Sequence, residues 1–294
     1  MVLAAVGQFR ATIQVLANAE SCLNIIHRAS KAGAKTVFLP EASDFIGLNA
    51  EEGLKTARNE TPQFVKMIRD AAALSKIEVS VGIHSPFHLN NDATVTPTKT
   101  TNTCLFISSD GEYHKLHLFD VFVEGSPIYH ESKGVQKGSS FLKPFDTSIG
   151  RLGMNICYDV RFPEMALKLR REGAEILQYP SAFTLRTGAA HWELLLRARA
   201  VDTQCYVMAA AQGGKNMRRN EMTDQQVGKH DEEGRRASYG HAMIVDPWGS
   251  IVAQCSDMST EPSFCLADVD LQSLRQVRQS MPLWDQRRED VFPS

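Results

Sequence analysis

Short apolar runs alternate with helical periodicity in the first part of the chain. Residues 2–9 and 36–41 are typical of strands, and between them apolar side chains recur three or four positions apart over residues 18–34. Asn18 is the candidate N-cap of that helix, because a short polar side chain can accept hydrogen bonds from the first free N–H groups. A second helix begins at Thr61. This alternation predicts an α/β fold.

The same alternation continues to the end of the chain. Strands are predicted at residues 79–84, 102–107, 152–156, 175–179, 205–212, 241–246, 250–255 and 264–270, and helices at 163–172, 190–203 and 271–279. Residues 213–236 are polar and charged without periodicity, which predicts an exposed loop or insertion. Because we find no internal repeat and no linker, we expect one domain over residues 1–294.

Composition narrows the class of protein and of partner. The chain has 294 residues, of which 43% are hydrophobic and 22% charged, as in a globular protein of enzyme size. A formal net charge of −2 provides no basic surface for nucleic acid. No apolar run approaches the roughly 20 residues that a membrane span requires. We therefore expect a small-molecule substrate, with no nucleic-acid or membrane partner.

The spacing of the cysteines indicates the cellular compartment and whether a structural metal site is present. All six are scattered, mostly inside apolar runs, and no C-x-x-C pair occurs. This pattern argues against a disulfide framework and against a structural zinc site. It fits a reducing compartment, so we expect a cytoplasmic protein, with a mitochondrial pool as an open alternative, and no metal.

Three reactive side chains lie at or near predicted strand ends. Glu41 follows the strand that Pro40 ends, and Cys157 follows the strand at 152–156. Lys115 lies among imperfectly alternating residues, so it can face either solvent or a pocket. Taken alone, a buried cysteine usually packs like a small hydrophobe, and an isolated lysine usually faces solvent. Together, a carboxylate, an ammonium and a thiol are what acyl transfer requires.

Several motifs carry a resemblance to a known family. Phe38-Leu-Pro-Glu41, Lys115-Leu-His-Leu-Phe-Asp120 and the stretch from Gly153 to Glu164 resemble the three motifs of the nitrilase superfamily, in the same order. Further stretches resemble its Nit branch, namely Tyr179-Pro-Ser-Ala-Phe183, Thr187-Gly-Ala-Ala-His-Trp-Glu193, Arg197-Ala-Arg-Ala200, Thr203-Gln-Cys-Tyr206, Arg236-Ala-Ser-Tyr-Gly-His241 and Asp246-Pro-Trp-Gly249. Within that branch, the chain is most similar to the deaminated glutathione amidases. The resemblance covers essentially the whole chain.

The resemblance implies an architecture that periodicity does not give. Members of the superfamily form a four-layer α-β-β-α sandwich and dimerise through a helical face. We therefore expect a homodimer or a higher homo-oligomer, with the tail at about 281–294 as the segment that could cross to the partner subunit.

The resemblance also implies a catalytic set. Glu41, Lys115 and Cys157 match the Glu-Lys-Cys triad of the superfamily, and Glu131 matches its supporting glutamate, with Glu124 as the nearby competitor. Lys115 and the backbone N–H of Tyr158 are expected to hold the oxyanion. No metal or organic cofactor has a task in this scheme.

The expected activity is hydrolysis of deaminated glutathione to 2-oxoglutarate and cysteinylglycine through a cysteine thioester. Arg161 is the candidate clamp for a substrate carboxylate, and Phe183 and Thr187 are candidate pocket walls. The structural alternative for Arg161 is an ion pair with Asp159 or Glu164.

Three other interpretations of the sequence were weighed against this activity. The chain could be an ω-amidase acting on 2-oxoglutaramate or on another small carboxylate-bearing amide. It could instead be a non-catalytic binding protein on the same fold. A papain-like protease could use His84, His117 or His191, but the sequence after Cys157 is wrong for one.

Overall fold

A computed structural model describes most of the chain. The described residues are 1–47, 49–88, 96–109, 111–122, 129–213, 238–257 and 261–292. The competitor Glu124 lies outside them, and so does the predicted insertion at 213–236 except for its first residue. No helix within the described ranges is long and apolar enough to cross a membrane.

Strands and helices alternate as the hydrophobic pattern predicts. The strands are β1 (Val2–Phe9), β2 (Thr36–Phe38), β3 (Glu78–Pro86), β4 (Thr100–Phe106), β5 (Gly111–His114), β6 (Asp120–Val121), β7 (Tyr129–His130), β8 (Phe145–Thr147), β9 (Gly150–Met154), β10 (Ile176–Gln178), β11 (Tyr206–Ala209), β12 (Ala211–Gln212), β13 (Met243–Val245), β14 (Ile251–Gln254) and β15 (Ser263–Val269). The helices are α1 (Val15–Lys31), α2 (Ala50–Asn59), α3 (Thr61–Ser75), α4 (Pro163–Arg171), α5 (Leu185–Thr187), α6 (Glu193–Thr203) and α7 (Leu271–Ser280).

Most of the strands form two large sheets. The first sheet has the order β12-β1-β2-β3-β4-β5, with β15 also paired to β1, and the second has the order β14-β13-β11-β10-β9-β8. At the centre of the first sheet β1, β2 and β3 are parallel, and at the centre of the second β9, β10 and β11 are parallel. Parallel strands end at the same edge of a sheet, which is where ligands bind in α/β proteins.

The two sheets pack against each other between outer layers of helices. Alternate residues of a strand face opposite sides of its sheet. On β2, Phe38 therefore joins the core between the sheets, whereas Val37 joins the core beneath α1 and α3. Ser80 of β3 donates a 2.7 Å hydrogen bond to Gln178 of β10, directly between the sheets. Helices α4 and α6 cover the second sheet. The predicted α-β-β-α sandwich is confirmed.

Local predictions failed at two points. Helix α1 begins at Val15, so Asn18 lies within its first turn, and the N-cap prediction is wrong. The buried amide of Asn18 instead donates 2.9 Å hydrogen bonds to the carbonyls of Thr12 and Asp44, which ties the helix to neighbouring loops. The predicted strand at 205–212 is two strands, because β11 belongs to the second sheet and β12 pairs with β1 in the first.

The described part of the C-terminal tail lies against α4 of its own subunit. Arg171 forms a 2.6 Å ion pair with Glu289, and the guanidinium of Arg170 lies 5.0 Å from the centre of the Trp284 ring. A contribution of this tail to a partner subunit stays a prediction.

Candidate active site

A cavity of about 340 Å³ lies at the edge where both sheets present their loops. Every residue predicted for the site lines this one cavity, namely Glu41, Lys115, Glu131, Cys157, Tyr158, Arg161, Phe183 and Thr187. The two sheets contribute in the same way, because Glu41 is the third residue after β2 and Cys157 is the third residue after β9. The sandwich therefore brings a carboxylate and a thiol from different sheets to one place.

Gly82 on the neighbouring strand makes room for Glu41. A Cβ atom at Gly82 would lie 2.6 Å from the Glu41 Cα atom and 2.7 Å from the Pro40 carbonyl oxygen. The Gly82 N–H also donates to that carbonyl over 3.1 Å. Beyond Glu41 the chain turns through Ala42, which has a φ of 54°. This close backbone approach, which a side chain at Gly82 would prevent, seats the Glu41 carboxylate where it is 5% exposed.

Lys115 is buried between two carboxylates. Its Nζ atom lies 2.9 Å from Glu41 Oε1 and 2.9 Å from Glu131 Oε2, and the residue is 2% exposed. Burial lowers the pKa of Lys115, but the negative charges of Glu131 and Glu41 outweigh burial and raise that pKa well above its ordinary value. Lys115 is therefore an ammonium at neutral pH, and it faces the cavity rather than solvent.

Glu131 lies in a single 3-10 turn after β7 and is fixed by the backbone. Its Oε2 atom accepts a 2.6 Å hydrogen bond from the Phe119 N–H. Together with the contact to Lys115, this bond points the carboxylate inward. The arrangement fits the predicted supporting role of Glu131.

Asn102, which was not predicted, links the two glutamates. Its Nδ2 atom lies 2.8 Å from Glu41 Oε1 and 2.9 Å from Glu131 Oε1. Its backbone carbonyl accepts from the Lys115 N–H over 2.9 Å, so Asn102 also fixes the start of the segment that carries the lysine. The available signal was an asparagine as the first residue of the mostly apolar strand predicted at 102–107.

Cys157 occupies a strained backbone position at the start of a 3-10 turn. Its φ is 45°, a left-handed conformation that non-glycine residues rarely adopt. The Cys157 N–H donates to the Pro180 carbonyl over 3.0 Å, and the thiol lies near the Glu41 carboxylate and the Ala182 backbone. Such strain is typical of functional sites, where the surrounding structure holds one residue in place.

The pKa values of Cys157 and Glu41 are shifted in opposite directions. Burial and the nearby Glu41 charge raise the pKa of Cys157 well above its ordinary value, although the Lys115 charge opposes them. Burial also raises the pKa of Glu41, but Lys115 and the hydrogen bonds to the carboxylate outweigh it, and the net shift is downward. The resting site therefore holds a neutral thiol beside a carboxylate. The carboxylate can act as a base, because Lys115 and the hydrogen bonds outweigh the effect of burial on its pKa.

Asp159 joins the turn that carries Cys157 to the segment that carries Lys115. The fully buried carboxylate accepts from the Tyr113 hydroxyl over 2.7 Å and from the Ile156 N–H over 2.9 Å. It also lies 2.7 Å from His117 Nδ1. These bonds hold the two segments in register.

Arg161 has no ion pair among the described residues, so the structural alternative, an ion pair with Asp159 or Glu164, is not supported. Its Nη2 atom lies 3.2 Å from His191 Nδ1. Burial and the charge of Arg161 both lower the pKa of His191, so that histidine is neutral and can accept from the guanidinium. The charge of Arg161 is left available to a ligand in the cavity.

The remaining predicted residues form the wall around Arg161. Phe183 is 8% exposed, packs 4.9 Å from Trp192 between ring centres, and lies 5.7 Å from the Arg161 guanidinium. The Thr187 hydroxyl lies 2.8 Å from the Thr184 hydroxyl. Tyr158 is the second residue of the turn that Cys157 begins, and N–H groups in a first turn lack partners within the helix.

Each histidine considered for the protease alternative contacts a side chain other than Cys157. His84 contacts Asp44, His117 contacts Asp159 and His191 contacts Arg161. Among the described residues, Cys157 forms no hydrogen bond with His84, His117 or His191, so a Cys-His dyad is not supported. Nor do the described residues contain a group of three or more His, Cys, Asp or Glu side chains that could hold a metal ion.

Known proteins resemble this chain in sequence and in fold. Residues 3–279 match the family described as carbon-nitrogen hydrolase. The chain is 44% identical to "Probable hydrolase nit2" of Schizosaccharomyces pombe over the full length of both proteins. It is 40% identical to "Deaminated glutathione amidase" of Mus musculus over 99% of this chain and 85% of that protein. The crystal structure of the C. elegans NitFhit protein matches with a TM-score of 0.85 and 40% identity, over 99% of this chain and 66% of that one.

Proposed function

The chain belongs to the carbon-nitrogen hydrolase family, and from that premise we propose that it hydrolyses the amide bond of deaminated glutathione to 2-oxoglutarate and cysteinylglycine. The observation that carries this proposal is one cavity in which Glu41, Lys115 and Cys157 meet beside Arg161, which has no acidic partner among the described residues. The names of relatives about 40% identical over nearly the whole chain support the choice of substrate.

The first half of the reaction makes a thioester. Glu41 removes the proton from Cys157 as the sulfur attacks the amide carbonyl carbon, and the carbonyl electrons move onto oxygen. Lys115 and the Tyr158 N–H stabilise the resulting oxyanion. When the oxyanion collapses, the carbon–nitrogen bond breaks and Glu41 gives its proton to the departing nitrogen. The free amine leaves, and the acyl group stays on Cys157.

The second half releases the acid. Glu41, again a carboxylate, takes a proton from water as the water oxygen attacks the thioester carbon. The carbon–sulfur bond then breaks, the acid leaves, and the proton returns to Cys157. Glu131 keeps Lys115 in place throughout, since its carboxylate is itself held by a backbone N–H.

Arg161 binds the α-keto acid group of the substrate in this scheme. A guanidinium recognises a carboxylate through paired hydrogen bonds. Phe183 and Thr187 line the same part of the cavity and enclose the acyl chain. These side chains select a short acyl group that carries an anion.

An ω-amidase acting on 2-oxoglutaramate is the second candidate, since that amide presents the same acyl half to Arg161. Measuring kcat/KM for deaminated glutathione and for 2-oxoglutaramate side by side separates the two candidates. A higher value for deaminated glutathione supports the main proposal, and a higher value for 2-oxoglutaramate replaces it.

A non-catalytic binding protein on the same fold is the remaining alternative. Mass spectrometry of protein quenched during turnover distinguishes it, because catalysis adds the mass of the acyl group to the peptide that contains Cys157. If hydrolysis and acylation are both absent, the catalytic proposal fails.

We also propose that the protein is a homodimer that pairs through the outer face of α6. Leu194 and Val201, seven residues apart on this helix, are 65% and 44% exposed, and Trp248 nearby is 59% exposed. Arg197 ties the turn beside Trp248 to α6 through a 2.8 Å hydrogen bond to the Gly249 carbonyl. Light scattering should give a dimer mass for the wild type and a smaller mass for Leu194→Glu. The control is Leu74→Glu, which alters an exposed leucine on α3.

We propose that the protein is located in the cytoplasm, with a mitochondrial pool as the alternative. All six cysteines are free, which fits a reducing environment. Fractionation of cells with an antibody to the protein tests the location.

A further inference from the structure

One wall of the cavity has no part in the proposed recognition of the acyl group. It is formed by Phe45, Ile46 and Gly47, which lie shortly after Glu41 in the chain, and by His84 of β3. All four belong to the first sheet or its loops, whereas Arg161, Phe183 and Thr187 belong to the second. Because Glu41 gives its proton to the departing nitrogen in the proposed reaction, the leaving amine lies on the side of Glu41. This wall therefore faces the leaving amine.

Asp44 fixes the ring of His84 in one orientation. The Asp44 Oδ1 atom lies 3.0 Å from His84 Nδ1, and Oδ2 accepts from the His84 backbone N–H over 2.9 Å. The Phe45 ring stacks on the imidazole with 4.4 Å between ring centres. The carboxylate is completely buried and also accepts from the Thr61 hydroxyl over 2.8 Å, so it is itself immobile. His84 Nδ1 is thereby the donor to Asp44.

The other ring nitrogen of His84 is left for a ligand. Within the part of the chain that the structure describes, Nε2 has no hydrogen-bond partner, and the side chain is 18% exposed where it lines the cavity. Burial lowers the pKa of His84, but the Asp44 carboxylate outweighs burial, and the net shift is upward. When both ring nitrogens are protonated, His84 presents an Nε2–H donor to the cavity, and the natural acceptor for that donor is an anion.

We propose that Phe45, Ile46, Gly47 and His84 form a leaving-group subsite for an amine that carries a carboxylate, such as an amino acid or a dipeptide. His84 Nε2–H donates to that carboxylate. This inference rests on the proposed function and deepens it, because cysteinylglycine carries such a carboxylate, whereas the ammonia released from 2-oxoglutaramate carries none. The subsite would thus separate the two candidate substrates, which Arg161 cannot separate.

The experiment compares amides that share the 2-oxoglutaryl group and differ only in the leaving amine. One amide releases cysteinylglycine, and the other releases the C-terminal carboxamide of the same dipeptide. With wild-type protein, KM for the free acid should be roughly tenfold to a hundredfold lower than for the carboxamide, the range of one hydrogen bond to a charged group. His84→Gln should bring the two KM values together.

A matched control tests whether any loss of histidine has this effect. His27 lies on α1 and does not line the cavity, so His27→Gln should keep the wild-type ratio of the two KM values. The comparison of acid and carboxamide with unmutated protein does not depend on the folding of a variant. Equal KM values in the wild type, or an unchanged ratio in His84→Gln, overturn the subsite while hydrolysis itself upholds the proposed function.

Binding of the product separates the two possible failures. Calorimetry measures the affinity of cysteinylglycine for wild-type protein and for His84→Gln without any turnover. If the wild type hydrolyses neither amide but binds cysteinylglycine about tenfold more tightly than His84→Gln, the proposed function fails and the subsite stands. If cysteinylglycine binds both proteins equally, the subsite is overturned.

Discussion

The side-chain amide of Asn102 donates a 2.8 Å hydrogen bond to Glu41 Oε1, the same oxygen that accepts from Lys115. The amide also lies 2.9 Å from Glu131 Oε1, so one neutral group spaces two carboxylates. Asn102 Oδ1 is buried and has no hydrogen-bond partner among the described residues. A buried carbonyl without a hydrogen-bond partner lowers the stability of the fold. The role of Asn102 therefore lies in the hydrogen bonds that its amide donates to the two glutamates.

Asn102→Leu should reduce kcat by about tenfold to a hundredfold, with a smaller change in KM, because the side-chain amide of Asn102 binds Glu41 and Glu131. The hydrogen bond from Asn102 helps to lower the pKa of Glu41. Its loss raises that pKa, and the base form of Glu41 exists only above it. The acidic limb of the pH–rate profile should therefore move to higher pH.

The control is Asn24→Leu, which changes an exposed asparagine on α1 and should leave the pH–rate profile in place. If Asn102→Leu lowers kcat while the acidic limb stays where it is, its role is structural and not exerted on Glu41. Thermal melting of both variants checks that each is folded.

Asp159→Asn should lower the free energy of unfolding by about 2–3 kcal/mol, because it replaces a buried charged acceptor. The substitution disturbs the bonds to Tyr113 and Ile156 that join the Cys157 turn to the Lys115 segment. Tyr113→Phe should cost about 1 kcal/mol, and the double variant should cost less than the sum, since the two residues share a bond. Urea unfolding measures all three. Strict additivity would contradict the proposed linkage.

The sequence predicted the placement of Glu41 and Cys157 because both rest on local rules. Each follows a short apolar run, and the carboxyl ends of parallel strands face the ligand-binding edge. Lys115 could not be placed by the same reasoning, because its segment has no clear period. Its burial depends on Glu41, 74 positions away in the chain, and on Glu131.

The features that sequence reasoning missed depend on tertiary contacts. Asn102 is an ordinary polar residue until the fold brings two carboxylates to it. Asp159 was one of two alternative partners for nearby Arg161, yet its oxygens bind the side chains of Tyr113 and His117 and the Ile156 N–H. Residues 205–212 form a continuous apolar pattern because both of their strands are buried, and no pattern of hydrophobicity reveals that the chain changes sheets.

Cys157→Ala should abolish turnover and leave the fold intact, because it removes the proposed nucleophile and little volume. Its φ of 45° adds a second expectation. Cys157→Gly should have a free energy of unfolding about 1 kcal/mol higher than Cys157→Ala, because glycine adopts this conformation without a steric penalty. Chemical denaturation of the two variants gives the difference. Substantial hydrolysis by either variant would falsify the assignment of the nucleophile.

Arg161→Gln should raise KM for an amide of a keto acid by roughly tenfold to a hundredfold, with a smaller effect on kcat, since the lost hydrogen bonds involve two charged groups. Arg275→Gln is the matched control, because Arg275 lies on α7 with its side chain 60% exposed. Steady-state kinetics with both variants measures the effect. An unchanged KM in Arg161→Gln would remove the clamp from the proposed mechanism.

Alkylation of Cys157 by iodoacetamide tests whether the pKa of the Cys157 thiol is raised. Only the thiolate reacts readily, and an ordinary cysteine shows a rise in rate centred near pH 8.5. Burial and the Glu41 charge raise the pKa of Cys157 well above its ordinary value, so the wild-type rate should show no such rise between about pH 7 and pH 9.

Glu41→Gln reverses that expectation. It removes one of the charges that raise the pKa of Cys157 and leaves the opposing charge of Lys115 in place. The pKa of the thiol should therefore fall, and the rise in alkylation rate should begin at a lower pH than in the wild type. Mass spectrometry of the peptide that contains Cys157 follows the reaction without interference from the other cysteines. A rise near pH 8.5 in the wild type, unchanged in Glu41→Gln, would mean that Glu41 does not control the protonation of the thiol.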